Sequence, residues 1–87
     1  MGKYRIEIKK SAAKEIEQLS RKDMKAVIGT IGSLSDNPRP HGSKKLSGQE
    51  KYRIRCGNYR ILYAIEDNVL IVYVVKVGHR KDVYRNI

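Results

Sequence analysis

Three arginines lie close together in one short segment of this chain. In Lys51–Tyr63 (KYRIRCGNYRILY), Arg53 and Arg55 alternate with apolar residues, and Arg60 follows the Gly57-Asn58 turn. Strand side chains alternate between two faces, and arginine is costly to bury without a partner. The three guanidinium groups are therefore expected on one open side of a sheet. Because a guanidinium binds phosphate oxygens through two parallel hydrogen bonds, this spacing predicts a phosphate-binding surface.

A second basic cluster, KVGHRKDVYR, begins at Lys76. If the strand before it lies beside the arginine-bearing strands, the loop that follows brings His79, Arg80 and Tyr84 towards the arginines. Histidine is the side chain best suited to exchange protons near neutral pH, so His79 is a candidate base. The lysines expected to contact a nucleic-acid backbone at this cleft are Lys44, Lys45, Lys51 and Lys81.

The charge balance points to a polyanionic partner. The 87 residues contain 19 lysines and arginines against 9 acidic residues, for a formal net charge of +10. Nucleic acid, an anionic membrane or an acidic protein would meet that excess. The simpler alternative is a solvated face, or arginines neutralised by Glu7, Glu50 or Glu66, although so few carboxylates do not balance the local excess.

The composition argues against a membrane-spanning, secreted, disulfide-bonded or zinc-binding protein. No stretch approaches the roughly 20 apolar residues of a membrane span, and the N-terminus lacks the apolar region of a signal peptide. Cys56 is the only cysteine, which excludes an internal disulfide and a zinc site built from cysteine pairs. We therefore expect a cytoplasmic protein with no metal and no cofactor.

Hydrophobic periodicity predicts two helices after a first strand. Lys3–Lys9 alternates as a half-buried strand. Ser11 is predicted to cap a helix over Ala12–Leu19, and Ser20-Arg21-Lys22-Asp23 resembles a capping box that starts a second helix. Gly29 and Gly32 within this second helix suggest that it packs closely against a neighbour.

Three further strands complete the predicted fold. Ser35–Ser43 contains both prolines and is a connector; Lys51–Cys56 and Tyr59–Glu66 form a hairpin, and Val69–Val77 forms a central strand. This order favours a single α+β domain over residues 1–87. In it, two helices pack on one face of a mostly antiparallel sheet of about four strands.

The same alternation assigns the two faces of the hairpin. The residues predicted to face the helices are Tyr52, Ile54, Cys56, Tyr59, Ile61, Tyr63 and Ile65. The residues predicted to face the open side are Arg53, Arg55, Arg60 and Leu62. The arginines are thereby expected where a ligand can reach them.

Four segments in order carry a resemblance to a known family. Lys44–Gly48 (KKLSG), Tyr52–Arg55 (YRIR), Asn58–Tyr63 (NYRILY) and Val77–Tyr84 (VGHRKDVY) are similar to the signature of RelE-type toxins of bacterial and archaeal toxin–antitoxin modules. The resemblance covers nearly the whole chain. It implies a compact fold of the microbial-ribonuclease type that enters the ribosomal A site and cuts mRNA there, inhibiting translation. It also implies neutralisation by a RelB-like antitoxin.

The resemblance further implies roles for individual residues. Arg53 and Arg55 match a basic pair that is lysine in well-known members, and Arg60 matches a phosphate clamp. Arg80 matches an arginine linked to transition-state charge and the leaving group. Tyr84 matches a tyrosine that orients the cut nucleotide or stacks on it.

Arginine in place of the family's lysines leaves the general base unassigned. Arginine does not lose its proton near neutral pH, so neither Arg53 nor Arg55 is a suitable base. We hypothesise that His79 or water accepts the 2′-hydroxyl proton instead. The alternative is that His79 only hydrogen-bonds its own turn.

Two other functions fit the same scaffold. ParE-type toxins resemble it, yet they inhibit DNA gyrase and lack the catalytic set. The combination of Arg60, Arg80 and Tyr84 favours a RelE-type enzyme over that alternative. The third function is a basic RNA-binding module without catalysis.

Overall fold

The computed structural model describes residues 2–46 and 50–79 of the chain. Its elements, in chain order, are β1 (Arg5–Ile8), α1 (Lys10–Glu17), α2 (Arg21–Ser33), β2 (Lys44–Lys45), β3 (Lys51–Cys56), β4 (Tyr59–Glu66) and β5 (Ile71–His79). The bounds of β3 and β4 agree with the sequence prediction residue for residue. Within these two ranges, neither helix is long and apolar enough to cross a membrane.

The strands form one mixed sheet in the order β1-β5-β4-β3-β2. The β1–β5 pair is parallel, and the other three pairs are antiparallel. The predicted α+β layout with a mostly antiparallel sheet is confirmed, but the described residues form five strands rather than about four. The additional strand, β2, consists of two exposed lysines, which are too few to show an alternating pattern.

Both helices pack on the same face of this sheet. Their buried residues are Ala12 and Ile16 of α1 and Val27 and Ile31 of α2. The sheet residues buried against them are Ile54, Ile61, Tyr63, Val72, Val74 and Val77. The residues that pack at the margin of this core include Tyr52, Cys56, Tyr59 and Ile65. The predicted helix-facing side of the hairpin is therefore confirmed.

Of the two predicted helix caps, one is confirmed and one is wrong. The Ser20 hydroxyl accepts a 3.2 Å hydrogen bond from the backbone N–H of Asp23, so Ser20 caps the start of α2. The Asp23 carboxylate accepts from the Tyr59 hydroxyl. Ser11 is not a cap, because α1 already begins at Lys10 and no side chain caps it. The backbone N–H of Lys9 donates to the Val74 carbonyl at 2.8 Å, which ties the start of the helix directly to β5.

The two glycines of α2 do not mark close packing. A Cβ atom added at Gly29 or Gly32 would meet no atom within 4 Å, and both positions are exposed. The expected contact with a neighbour is therefore wrong. The stripe that α2 buries contains Val27 and Ile31, and the glycines lie outside it.

A β-bulge in β5 changes which of its side chains face the helices. Leu62 pairs with Lys76 while Tyr63 pairs with Val74, so Val75 is an additional residue in β5. Because strand side chains alternate, this insertion reverses the faces of the residues that follow it. Val77 is consequently buried in the core, and Lys76 lies on the opposite face of the sheet.

A polar network ties the connector after α2 to the β4–β5 turn. Arg39 donates hydrogen bonds of 3.2 and 2.9 Å to the Asp67 carboxylate, and the Tyr4 hydroxyl donates another of 2.7 Å. These bonds favour the charged carboxylate and lower the pKa of Asp67 to about 2. The buried Tyr63 hydroxyl donates to the Pro38 carbonyl at 2.8 Å and anchors the same connector.

Candidate nucleic-acid interface

Three arginine side chains belong to the face of the sheet that the helices leave uncovered. Arg53 and Arg55 of β3 flank Ile54, and Arg60 of β4 precedes Ile61. Ile54 and Ile61 are buried against the helices, with exposed fractions of 9% and 0%. Alternation along each strand therefore turns the arginines to the other side. We call the surface formed by Arg53, Arg55 and Arg60 the arginine face.

Strand pairing places these cations directly opposite one another. Arg55 of β3 is the cross-strand partner of Arg60 of β4, and Arg53 is the partner of Lys44 of β2. Side chains at such positions have Cβ atoms about 4.5–5.5 Å apart, and like charges there destabilise a sheet. Arg55 is exposed, whereas Arg53 and Arg60 are half-buried. An anion bound at this surface would relieve the repulsion.

A pocket opens on the β2 side of the arginine face. It has a volume of about 440 Å³ and is lined by Gly42, Lys44, Arg53, Ile54 and Arg55. Three cationic side chains around one opening suit a phosphate group. The structure thus places Lys44 beside the arginines.

Two of the carboxylates considered as neutralising partners lie away from the arginine face. Glu7 accepts a 2.7 Å hydrogen bond from Arg5 in the edge strand. Glu66 is exposed at the end of β4, and Arg60 lies near its start. Within residues 2–46 and 50–79, Arg55 forms no ion pair.

Lys45 lies on the other side of the sheet from the arginine face. Its cross-strand partner is Tyr52, which packs at the margin of the core. Its Nζ atom lies 3.7 Å from the carboxylate of Glu50, the third carboxylate considered. The structure therefore brings Lys44 to the arginines but not Lys45.

His79 also lies across the sheet from the arginine face. It pairs with Tyr59, and the two rings meet edge to face with centroids 5.9 Å apart. Burial, together with a 3.2 Å hydrogen bond to Asp23, raises the pKa of Tyr59. A pocket of about 190 Å³ beside them is lined by Asp23, Cys56 and His79 among others. The expectation that His79 approaches the arginines is wrong, because the bulge in β5 turns it to the helix side.

The bulge instead brings Lys76 to the arginine face. No role was predicted for this lysine from the sequence. Lys76 pairs with Leu62, and Leu62 pairs with Arg53, so the three side chains form one row across β5, β4 and β3. Leu62 lies on the predicted face but is buried, at 1% exposure, so its expected openness is wrong. A lysine within the apolar run of β5 was the available signal, but its direction depends on the bulge. Lys51, two residues before Arg53 in β3, lies on the same face.

The remaining predicted site residues, Arg80, Lys81 and Tyr84, lie outside the described residues, so their placement stays a prediction. The described part of β5 ends at His79, one residue after Gly78, which pairs with Arg60.

Comparison with known proteins identifies one family over almost the whole chain. The family model described as the ParE toxin of type II toxin-antitoxin system, parDE, matches residues 6–84. The putative toxin RelE1 of Methanocaldococcus jannaschii is 30% identical over 88 residues, which cover 97% of this chain and 98% of that protein. Toxin RelG of Mycobacterium tuberculosis is 31% identical over 86 residues, which cover 94% of this chain and 97% of that protein.

Solved structures show the same architecture. The archaeal RelE–RelB complex from Pyrococcus horikoshii matches with a TM-score of 0.81 and 25% identity, over 90% of this chain and 96% of the matched chain. The toxin–antitoxin complex RelBE2 from Mycobacterium tuberculosis matches with a TM-score of 0.79 and 29% identity, over 88% and 98%. Sequence motifs, sheet order and these similarities agree that the chain belongs to the RelE/ParE family of toxins of type II toxin–antitoxin systems and is of the RelE type.

Proposed function

We propose that this chain is a ribosome-dependent endonuclease that cuts mRNA in the ribosomal A site and thereby inhibits translation. The observation that carries the proposal is the arginine face, where Arg55 lies directly opposite Arg60 and Arg53 lies beside Lys44. Guanidinium groups concentrated on an open sheet suit the phosphodiester backbone of RNA. The net charge of +10 also favours association with ribosomal RNA.

The proposed reaction is attack of a 2′-hydroxyl on the neighbouring phosphodiester. The 2′-oxygen loses its proton to water and bonds to phosphorus, the bond from phosphorus to the 5′-oxygen breaks, and that oxygen takes up a proton from water. The phosphoryl oxygens carry additional negative charge in the transition state. Guanidinium groups already held in place by a folded sheet stabilise this charge, and removing one such donor costs about 10²–10³ in rate.

Water is the proton acceptor in this proposal. Arginine stays protonated near neutral pH, and His79 lies on the other side of the sheet. The sequence left two candidate proton acceptors, His79 and water, and the position of His79 favours water. The variant His79→Ala is therefore expected to cleave at a near-normal rate. Arg80 and Tyr84 are proposed, from the family resemblance, to stabilise the leaving group and to orient the nucleotide.

An antitoxin that covers the arginine face is the proposed partner. The matched structures from Pyrococcus horikoshii and Mycobacterium tuberculosis are complexes of a toxin with its antitoxin. A surface with this excess of positive charge is best covered by a segment rich in acidic residues, which can fold as it binds. Co-expression with the cognate antitoxin is expected to abolish toxicity.

Reconstituted translation tests the proposed activity. Ribosomes carrying a defined mRNA are mixed with the toxin, and new 5′ ends are mapped. Arg60→Gln is expected to lower the cleavage rate by about 10²–10³. Arg5→Gln removes the same charge from a residue that is paired with Glu7, and it is expected to cleave at the wild-type rate. A folded wild-type protein that leaves ribosome-bound mRNA intact would refute the proposal.

Inhibition of DNA gyrase is the second candidate, because the matched family model is described as a ParE toxin. A supercoiling assay with purified gyrase distinguishes the two functions. Blocked supercoiling with intact mRNA on ribosomes would favour the gyrase inhibitor. A basic RNA-binding module would show neither effect, and Arg60→Gln would then only weaken RNA binding in a salt-dependent way.

A further inference from the structure

We propose that a second phosphate-binding subsite lies between α1 and the bulge of β5, where it holds a neighbouring phosphate of the RNA backbone. This inference rests on the proposed function and extends its binding surface. A pocket of about 310 Å³ opens there, and its polar lining consists of Lys9, Ser11, Glu15, Lys51 and Lys76. Three lysines and one glutamate give this pocket an excess of positive charge, as an anion site requires.

The pocket adjoins the arginine face. Leu62 borders the pocket and is the cross-strand partner of both Arg53 and Lys76. Adjacent strands lie about 4.8 Å apart, so two strand spacings, or about 10 Å, separate the backbones of Arg53 and Lys76. A single phosphate group bound at the arginines does not fill that distance. The lysine pocket therefore suits a second phosphate along the same strand of RNA.

Glu15 both fixes the position of Lys76 and competes with an incoming anion. Its Oε2 atom accepts a 2.8 Å bond from Lys76 Nζ, and its Oε1 atom accepts a 3.0 Å hydrogen bond from the backbone N–H of Val77. Because β1 pairs with β5 only as far as Val74, Glu15 reaches the edge of β5 past the end of β1 and meets Lys76 there, although α1 packs on the other face of the sheet. The two charged side chains are 30% and 25% exposed, so water screens them less than a fully exposed pair. Removing the charge of Glu15 should therefore strengthen anion binding, whereas removing the charge of Lys76 should weaken it.

Substitutions with opposite expected signs test the subsite. The probe is a short single-stranded RNA with a 2′-O-methyl group at the cleavage position, and binding is measured as a function of salt. Lys76→Met is expected to bind about fivefold more weakly and to lower the slope of log K against log salt by about 0.7, the value for one phosphate contact. Glu15→Gln keeps an oxygen for the Val77 N–H and is expected to bind about two- to fivefold more tightly. A purely structural ion pair would shift both variants in the same direction or leave both unchanged, which would overturn the proposal.

Further variants separate charge from folding. Lys25→Met makes the same change at an exposed position of α2 and is expected to bind as the wild type does. Lys76→Arg keeps the charge and is expected to restore binding. If Lys76→Met does not fold, Lys9→Met makes the same test at an exposed residue outside the sheet, and unchanged affinity there would overturn the subsite.

Methylphosphonate substitution identifies which RNA supplies the phosphate. Neutralising one phosphate beside the cleaved linkage should weaken wild-type binding but not Lys76→Met binding if the mRNA occupies the subsite. If ribosomal RNA occupies the subsite, the short RNA binds the wild type and Lys76→Met equally, whereas Lys76→Met binds ribosomes more weakly than the wild type does. If neither the methylphosphonate nor the Lys76→Met substitution changes binding to the short RNA or to ribosomes, the subsite is overturned but the proposed function is not. If Arg55→Gln binds RNA as tightly as the wild type does, that result would instead count against the proposed function.

Discussion

Replacing Arg55 by threonine is expected to make the fold more stable and the toxin inactive. Arg55 lies directly opposite Arg60 in the antiparallel β3–β4 pair, and it is exposed. Among the described residues it forms no ion pair that would be lost. Removing one of two opposed like charges, and placing a β-branched residue in the strand, should raise the free energy of unfolding by about 0.5–1 kcal/mol.

Thermal unfolding resolves a change of this size. In a domain of roughly 60–100 residues, 1 kcal/mol shifts Tm by about 4–8 °C, so Arg55→Thr should raise Tm by about 2–8 °C. The gain should shrink in about 1 M salt, where the Debye length falls to about 3 Å. In the ribosomal cleavage assay, the same variant should lose about 10²–10³ in rate.

Arg5→Thr is the matched control for Arg55→Thr. The Arg5 side chain is 72% exposed in the edge strand β1 and donates to Glu7 at 2.7 Å. This control removes a favourable pair rather than a repulsion, so Tm should stay the same or fall slightly, and cleavage should persist. The reasoning is refuted if Arg55→Thr lowers Tm as Arg5→Thr does, or if it still cleaves at the wild-type rate.

Three further predictions concern the scaffold. The pKa of Asp67 is lowered from 3.8 to about 2, chiefly by the hydrogen bond from Arg39. The stabilisation that Asp67 contributes should therefore be complete above about pH 4 and disappear as the pH falls towards about 2. Urea unfolding midpoints measured across that pH range test this expectation. Tyr63→Phe leaves the Pro38 carbonyl without its donor and should lower the free energy of unfolding by about 1–3 kcal/mol in urea denaturation. Gly29→Ala should raise that free energy by about 0.5–1 kcal/mol, because helical glycine is unfavourable and the new Cβ atom meets no neighbour.

A control accompanies each of these variants. Asp67→Asn should remove the contribution that Asp67 makes to the acid dependence. Tyr73→Phe should leave stability unchanged, since the Tyr73 hydroxyl forms no hydrogen bond within residues 2–46 and 50–79. Gly57→Ala should destabilise the fold, because Gly57 has a φ of 60° that disfavours a Cβ atom. Equal effects in a variant and its control would contradict the reason given.

Local periodicity was sufficient for the central hairpin. In Lys51–Cys56 and Tyr59–Glu66, apolar side chains recur at alternate positions and a Gly57-Asn58 turn separates the strands, so strand bounds and faces followed from short-range pattern. The arginine face was predicted for the same reason. Strand β2 was missed because its two lysines pair with β3 through backbone groups, which leave no trace in composition.

The misplacement of His79 and the omission of Lys76 have one physical cause. Val74, Val75 and Val77 are the same residue type, so nothing in the local pattern shows which of them is the bulge. The contact that accompanies the bulge is the hydrogen bond from Val77 to Glu15, which lies 62 residues earlier in the chain. Short-range periodicity contains no information about a contact of that separation. One additional residue was therefore enough to turn His79 to the helix side and Lys76 to the arginine face.

A structure of the toxin on a ribosome, bound to mRNA with a 2′-O-methyl group at the cleavage position, tests most directly whether the arginine face is the catalytic surface. We predict that the phosphate to be cut lies within about 3 Å of a guanidinium nitrogen of Arg55 or Arg60, on the side of the sheet opposite the helices. A phosphate bound on the helix side, beside His79 and Tyr59, would contradict this prediction.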